Sequence, residues 1–239
     1  MNGIDTRISA GNALTVPGPR IVDAGLLDYN AAWQLQLDLH AKVLSGELPG
    51  GAVMLVEHPP VITIGRHPGA AEHLLAAPDY LKQRGVQVVA TDRGGDITFH
   101  GPGQLVIYPI LPLNDHRLGL HAYLRLLEET IIGTLALFGV AGQRECGATG
   151  VWVPVDSGLA KICAIGVKLK RWTTLHGAAL NVTTDLSYFA LINPCGLGRP
   201  VTSLVAILGQ APPMEAVKTA VVNSFGVQLQ RSLRAKTIG

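Results

Sequence analysis

Charge is scarce in this chain. Only 15% of its 239 residues are Asp, Glu, Lys or Arg, and 19 basic residues against 17 acidic leave a net charge of +2. That balance, with no run of Lys or Arg, excludes a general nucleic-acid binder. The densest basic cluster is Lys168, Lys170 and Arg171, at what reads as a strand end. Cysteine is scarcer still. There are three, Cys146, Cys163 and Cys195, an odd number without C-x-x-C spacing. This argues against a disulfide framework and a structural zinc site, and fits a reducing compartment. No apolar run reaches the roughly eighteen residues of a membrane span. The first residues, with Asp5, Arg7, Gly and Pro, lack the apolar core of a signal peptide. The expectation is a cytoplasmic protein with a loose arm over residues 1–18 and one domain over residues 19–239. Apolar residues are what the chain has in quantity: 48% is hydrophobic, enough to bury a sizeable core and too much for a disordered chain.

Periodicity sketches the elements. A helix is expected from Asp28, a capping residue, to Ser45, with Trp33, Leu37, His40 and Leu44 on one face. Strands follow at residues 52–56 and 61–64, then a short helix at 78–84 and strands at 86–89, 96–99 and 105–111. A long helix spans 121–138, with Leu124, Leu127, Ile131, Leu135 and Phe138 on one stripe. Strands are expected at 151–153, 161–169 and 175–182. A last helix runs over 213–225 with Met214, Val217, Val221 and Phe225 inward. Strands and helices mix without strict alternation, so the fold class is α/β of the α+β type, a mixed sheet flanked by helices.

The segment richest in chemistry is Arg93-Gly94-Gly95-Asp96-Ile97-Thr98-Phe99-His100-Gly101-Pro102-Gly103-Gln104. Glycines on both sides of a short strand let the backbone turn or approach a ligand closely, which suits a pocket wall. It is neither a dinucleotide fingerprint nor a Walker loop, and no H-E-x-x-H motif occurs elsewhere, so no cofactor or metal is implied.

Three thiols compete as nucleophile. Cys163, in Ile162-Cys163-Ala164-Ile165, reads as a small packed hydrophobe. Cys146 follows Arg144-Glu145 in a loop and is open to reaction. Cys195, in Asn193-Pro194-Cys195-Gly196, sits in a sharp turn that can expose sulfur and offer backbone N–H groups to an oxyanion. A thiol needs help to ionise near neutral pH. Lys161, alone at the start of an apolar strand, is one source of that help; His100 and His176 are others. An ammonium ~4 Å from a thiolate gains about 4 kcal/mol at an effective dielectric near 20.

Taken together these residues resemble the lipoyl(octanoyl) transferase family. The likeness runs through Glu57-His58-Pro59-Pro60-Val61-Ile62-Thr63-Ile64-Gly65-Arg66 and the glycine segment, which fits the family signature at every fixed position. It continues in Lys161-Ile162-Cys163-Ala164-Ile165-Gly166, Thr174-Leu175-His176-Gly177-Ala178-Ala179-Leu180-Asn181, Pro194-Cys195-Gly196 and Val201-Thr202-Ser203-Leu204. The resemblance implies Cys195 as the acyl-thioester nucleophile and Lys161 as the group that lowers its pKa and serves as acid and base. It implies an acyl pocket lined by Arg93, Gly94, Gly95, Asp96, Ile97, Thr98, Phe99, His100, Ala164, Ile165, Gly166, Gly177, Ala178 and Ala179. The implied fold is that of the biotin and lipoate protein ligases. The implied partners are octanoyl-acyl carrier protein as donor, with lipoyl domains of 2-oxo acid dehydrogenase complexes and the glycine cleavage H protein as acceptors. No cofactor, ATP, nucleic acid or membrane is implied. Acyl carrier proteins are acidic, so Lys168, Lys170, Arg171 or Arg66 are candidates for docking the donor. Cys163 and Trp172 depart from the residues commonest in the family, and neither removes a catalytic group. The rival readings are an ATP-dependent lipoate or biotin ligase on the same fold, a non-catalytic lipoyl-domain binder, and a thioesterase.

Overall fold

The computed structural model describes residues 17–193 and 199–234. The arm expected at residues 1–18 falls almost wholly outside them, as does Cys195.

Seven strands form the main sheet in the order β1 (Arg20–Leu26), β2 (Ala52–Glu57), β6 (Gln104–Ile110), β10 (Thr173–Asn181), β9 (Gly158–Lys170), β8 (Ala148–Val155) and β7 (Gln143–Glu145). The β1–β2 pair is parallel and the others antiparallel. A three-stranded sheet orders β4 (Gln87–Ala90), β3 (Val61–Ile64) and β5 (Ile97–His100), with β3 parallel to β4 and antiparallel to β5. The sheets are therefore mixed, as the pattern implied.

Helices cover both faces of the main sheet. On one face α3 (Leu120–Leu137) and α5 (Met214–Arg234) pack Leu127, Ile131, Val221 and Phe225 onto Leu55, Ile107, Val151 and Leu180. On the other, α1 (Tyr29–Leu44) packs Ala32, Leu39 and Val43 onto Met54, Val106, Tyr108 and Ala179. Strand β2 is covered on both sides, which is why Ala52-Val53-Met54-Leu55-Val56 is apolar without alternation. The small sheet has its own core of Ile62, Leu81, Val86, Ile97, Phe99 and Ile192, closed by α2 (Pro78–Gln83) and a 3-10 turn at Leu186–Leu191. A short α4 (Leu204–Leu208), capped by the Ser203 hydroxyl, follows.

Two strands escaped the sequence pattern. Strand β1 carries Asp23 in its middle, which Lys218 Nζ of α5 approaches at 2.8 Å. Strand β7, Gln-Arg-Glu, has no apolar residue and exists through its pairing with β8. The Asp28 cap of α1 is present, its carboxylate accepting from the Asn30 and Ala31 N–H groups. The buried face of α1 is Tyr29, Ala32, Gln36, Leu39, His40 and Val43; of the expected stripe of Trp33, Leu37, His40 and Leu44, His40 is buried and the others are not. Polar Gln36 sits on that face because its Oε1 accepts the His176 N–H, so the apolar periodicity there is broken by a tertiary bond. Helix α5 runs nine residues beyond Phe225, and Leu229 continues its buried stripe.

Candidate active site

A cavity of about 570 Å³ opens among the two sheets and the segments that end near residues 193 and 199. Of the sequence-derived wall, Arg93, Gly95, Asp96, Ile97, Thr98, His100, Ala164, Ile165, Gly166, Gly177, Ala178 and Ala179 line it. Gly94 and Phe99 do not. The Gly94 N–H donates to the Val167 carbonyl at 2.9 Å, tying the glycine segment to β9. Phe99 turns into the small sheet's core and stacks on Tyr188, with ring centroids 4.6 Å apart. The close approach of the two segments needs glycine at 166, where a Cβ would lie 2.8 Å from the Gly94 carbonyl oxygen.

Lys161 reaches the cavity through a β-bulge. Val151 of β8 faces Cys163 of β9, but the next residue, Trp152, faces Lys161, so β9 carries one extra residue, Ile162. Cys163, Ile165, Val167 and Leu169 alternate toward α3 and α5. Regular alternation would send Lys161 to the same apolar face. The inserted residue reverses the phase: Ile162 and Cys163 are both buried in the core and Lys161 lines the cavity. Gly150 accommodates the distortion with φ of +124°, and a Cβ there would lie 2.6 Å from the Cys163 carbonyl. Beyond the bulge, the Lys161 N–H donates to the Pro200 carbonyl and its carbonyl accepts from the Thr202 N–H, both at 2.9 Å. The backbone of Lys161 is thus bonded to the chain that follows the Pro194-Cys195-Gly196 segment. Its Nζ lies 4.7 Å from the centre of the Trp152 ring.

The thiols separate clearly. Cys163 is fully buried, and burial pushes its thiol up to about 12, so it stays protonated near neutral pH. Cys146 is exposed in the turn between β7 and β8. The residues that flank the 194–198 segment, Asn193 and Arg199, both line the cavity.

Away from Lys161 the wall is a directed hydrogen-bond chain. The Arg93 guanidinium, buried, donates to the Thr63 carbonyl at 2.8 Å and to its hydroxyl at 3.0 and 3.3 Å. That leaves the hydroxyl proton for His100 Nε2, 3.5 Å away. His100 Nδ1–H donates to Gln104 Oε1 at 2.7 Å, Gln104 Nε2 to Asn181 Oδ1 at 2.9 Å, and Asn181 Nδ2 to the Thr202 carbonyl at 2.9 Å. The tautomers follow from which partners can only accept. His58 donates from Nδ1 to the Leu27 carbonyl and accepts from the Tyr108 hydroxyl. Burial lowers His58 to about 4 and His100 to about 3, so both are neutral. His176, with φ of +59°, bonds Asp92 through Nε2 at 2.7 Å; burial outweighs that carboxylate and holds His176 below its ordinary value. Partial burial opposes ionisation of Asp92, but bonds from Lys168 and His176 keep its carboxyl below the usual range. Gln104 and Asn181 stand at the ends of the sequence motifs, yet their role in this chain has no local signal. Tyr29, Tyr108, Trp152 and Arg199 also line the cavity and were not read from the sequence. Among the described residues no group of three or more His, Cys, Asp or Glu is arranged to hold a metal ion, and no helix is long and apolar enough to cross a membrane.

The model of the lipoyl protein ligase A/B catalytic domain family matches residues 28–226. The octanoyltransferase of Chloroflexus aggregans is 50% identical over 203 residues, which are 84% of this chain and 90% of that one. This chain belongs to the octanoyltransferase family. It is therefore an acyltransferase. Solved structures with the same fold include a lipoate protein ligase homologue of Thermoplasma acidophilum, with a TM-score of 0.65 at 19% identity over 89% of this chain and 85% of that one. The biotin protein ligase of Aquifex aeolicus in complex with biotin and ATP gives 0.53 at 12% identity over 88% and 70%. These two likenesses carry the fold alone. Of the basic candidates for docking, Lys168 is paired with Asp92, Arg66 is exposed after β3, and Lys170 and Arg171 are exposed at the β9–β10 turn beside an exposed Trp172.

Proposed function

We propose that the enzyme moves an octanoyl group from octanoyl-acyl carrier protein to the lysine of a lipoyl domain through a thioester on Cys195. The observation that carries this reading is the bulge: the fold inverts a strand to bring Lys161 to the cavity, then bonds its backbone to residues 200 and 202, a few positions after Cys195.

In the first step the Cys195 thiolate attacks the donor thioester carbonyl. The tetrahedral intermediate expels the carrier's thiolate, which Lys161 protonates, leaving an octanoyl-enzyme. In the second step the ε-amine of the acceptor lysine attacks that thioester, Lys161 takes the amine proton, and the Cys195 thiolate departs. The product is an amide. Thioester to amide runs downhill, so no ATP is consumed, and the covalent intermediate divides one hard step into two. The seven saturated carbons past the carbonyl contribute about 5–6 kcal/mol when buried, at roughly 0.8 kcal/mol each. A methylene more or less changes this by only ~1–3 kcal/mol, so chain-length preference is graded. The acceptors on this reading are lipoyl domains of 2-oxo acid dehydrogenase complexes and the glycine cleavage H protein, in the cytoplasm. The basic Lys170–Arg171 turn steers the acidic donor.

The fold neighbours include a ligase whose structure was solved with biotin and ATP, which keeps an ATP-dependent ligase as the second reading. Intact mass after mixing with octanoyl-acyl carrier protein separates the readings. An octanoyl adduct on the wild type, absent from Cys195→Ser and slowed in Lys161→Ala, supports the transferase. Absence of the adduct, with product formed only from free octanoate and ATP, overturns it in favour of the ligase. Release of free octanoate without transfer points to a thioesterase, and a folded protein that binds lipoyl domains without acylation is a binder.

A further inference from the structure

The cationic groups at the Lys161 end of the cavity share one neighbour. Trp152 lies directly across the β8–β9 ladder from Lys161, on the face opposite Val151 and Val153, which pack into the core. The indole is 2% exposed. Lys161 Nζ is 4.7 Å from its ring centre, and the Arg199 guanidinium carbon is 5.2 Å from the same centre. Arg199 is in turn held by Glu145, at 3.3 Å. The indole N–H has no hydrogen-bond partner among the described residues, so what the ring offers these two cations is its π face.

We propose that Trp152 is the positioning residue for Lys161: the face of its ring holds the lysine ammonium at the cavity wall, and Arg199 against the same ring. The proposal rests on Lys161 as the proton-transfer group. A lysine side chain has many rotamers of similar energy. A ring face attracts an ammonium through the ring quadrupole, which favours the rotamers that reach it and leaves the amine able to surrender its proton in each half-reaction. Trp152 itself is rigid, because its strand lies between β7 and β9 and its ring is buried. The bulge supplies the direction of Lys161, and the ring supplies its reach.

The test varies the ring's electrostatics without its shape. Trp33→Phe and Trp172→Phe leave Trp152 as the single tryptophan of the chain. Biosynthetic replacement with 5-fluorotryptophan and then tetrafluorotryptophan progressively weakens the π face. kcat for octanoyl transfer from the carrier-protein donor to a lipoyl domain is expected to fall stepwise with fluorine number, with KM for the donor constant within about twofold. The full loss is about thirtyfold, the fold-change equivalent to about 2 kcal/mol. Trp152→Phe, which keeps a weaker face, falls between the wild type and Trp152→Leu. A kcat independent of fluorination, or equal losses in Trp152→Phe and Trp152→Leu with unchanged melting temperature, makes the ring a packing element and overturns the proposal alone. A wild type that never forms an octanoyl-enzyme removes the role of Lys161, and this proposal with it. The fluorinated proteins keep the wild-type shape, so the question is answered even where Trp152→Leu fails to fold.

Discussion

The two ends of the cavity are built on opposite principles. At one end Lys161 and Arg199 both face the ring of Trp152. At the other, His100 lines the wall with His58 packed against it, both buried and neutral, each nitrogen committed to a partner, and Arg93 is locked onto Thr63. A titratable side chain whose hydrogen bonds are all spent is a scaffold, since moving a proton there would break the chain of donors and acceptors. A long cation held by a ring can still exchange its proton. On the proposed mechanism, proton transfer belongs to the lysine end and rigidity to the histidine end.

The contrast is broken most strongly at the lysine end. Lys161→Ala is expected to lower kcat/KM for octanoyl transfer about 10²- to 10⁴-fold, the range for a lost general acid–base, while its melting temperature stays near that of the wild type. Stopped-flow or single-turnover mass measurements check this; a loss under fivefold would place proton transfer elsewhere.

At the histidine end stability answers first. Gln104→Leu leaves the His100 Nδ1–H and Asn181 Oδ1 unpaired in the interior. It is expected to cost about 3 kcal/mol of unfolding free energy, read by urea denaturation. An unchanged urea midpoint would show that the chain of bonds carries no net stability.

Acid sharpens the same point. His58 and His100 have native pKa values of about 4 and 3, below the unfolded value of about 6.5. The unfolded chain binds these protons first. Their contribution is therefore complete above pH ~6.5 and is lost as the pH falls toward 4, at about 2.7 kcal/mol per pH unit for two protons. Denaturation at pH 7, 6 and 5 should show stability falling with acid, His176 adding to the fall because its native value is also depressed, and His100→Gln should lower the slope by about one proton, ~1.4 kcal/mol per pH unit. A flat profile over that window would mean the histidines are solvated and able to titrate.

The smallest effect is expected beyond the cavity. Lys170→Glu with Arg171→Glu should raise KM for the carrier-protein donor severalfold at low salt, leave kcat unchanged, and lose its effect as salt screens the field. An unchanged KM at low ionic strength would remove this turn from donor recognition.

How much was readable beforehand differs by element. The helices α3 and α5 announce themselves because their apolar residues recur at the helical period, and the strands β2, β3 and β6 because they are short, nearly unbroken apolar runs bounded by turn residues. The α1 stripe was misread, apart from His40, because polar Gln36 is buried there, its Oε1 accepting the His176 N–H from a strand 140 residues away. Strand β1 was missed because Asp23 looks like a break until Lys218 meets it. Twelve of the fourteen wall residues expected from the resemblance do line the cavity, yet Phe99, inside the glycine segment, packs away from it.

The sequence by itself determined the family, the mixed sheet flanked by helices, and which few polar side chains stand in apolar surroundings. Those properties follow from local periodicity and from motif residues in a fixed order. Only the tertiary structure decided which face Lys161 presents, because a bulge exists in the pairing of two strands and leaves no mark on the strand that carries it. The tertiary structure also set Trp152 and Arg199 against that lysine and tied His100 through Gln104 and Asn181 to Thr202. Hydrogen bonds and ring faces act only over a few ångströms, so these contacts come into being when strands pair and the segments of the chain pack together, as Gln104 meets Asn181 77 residues away.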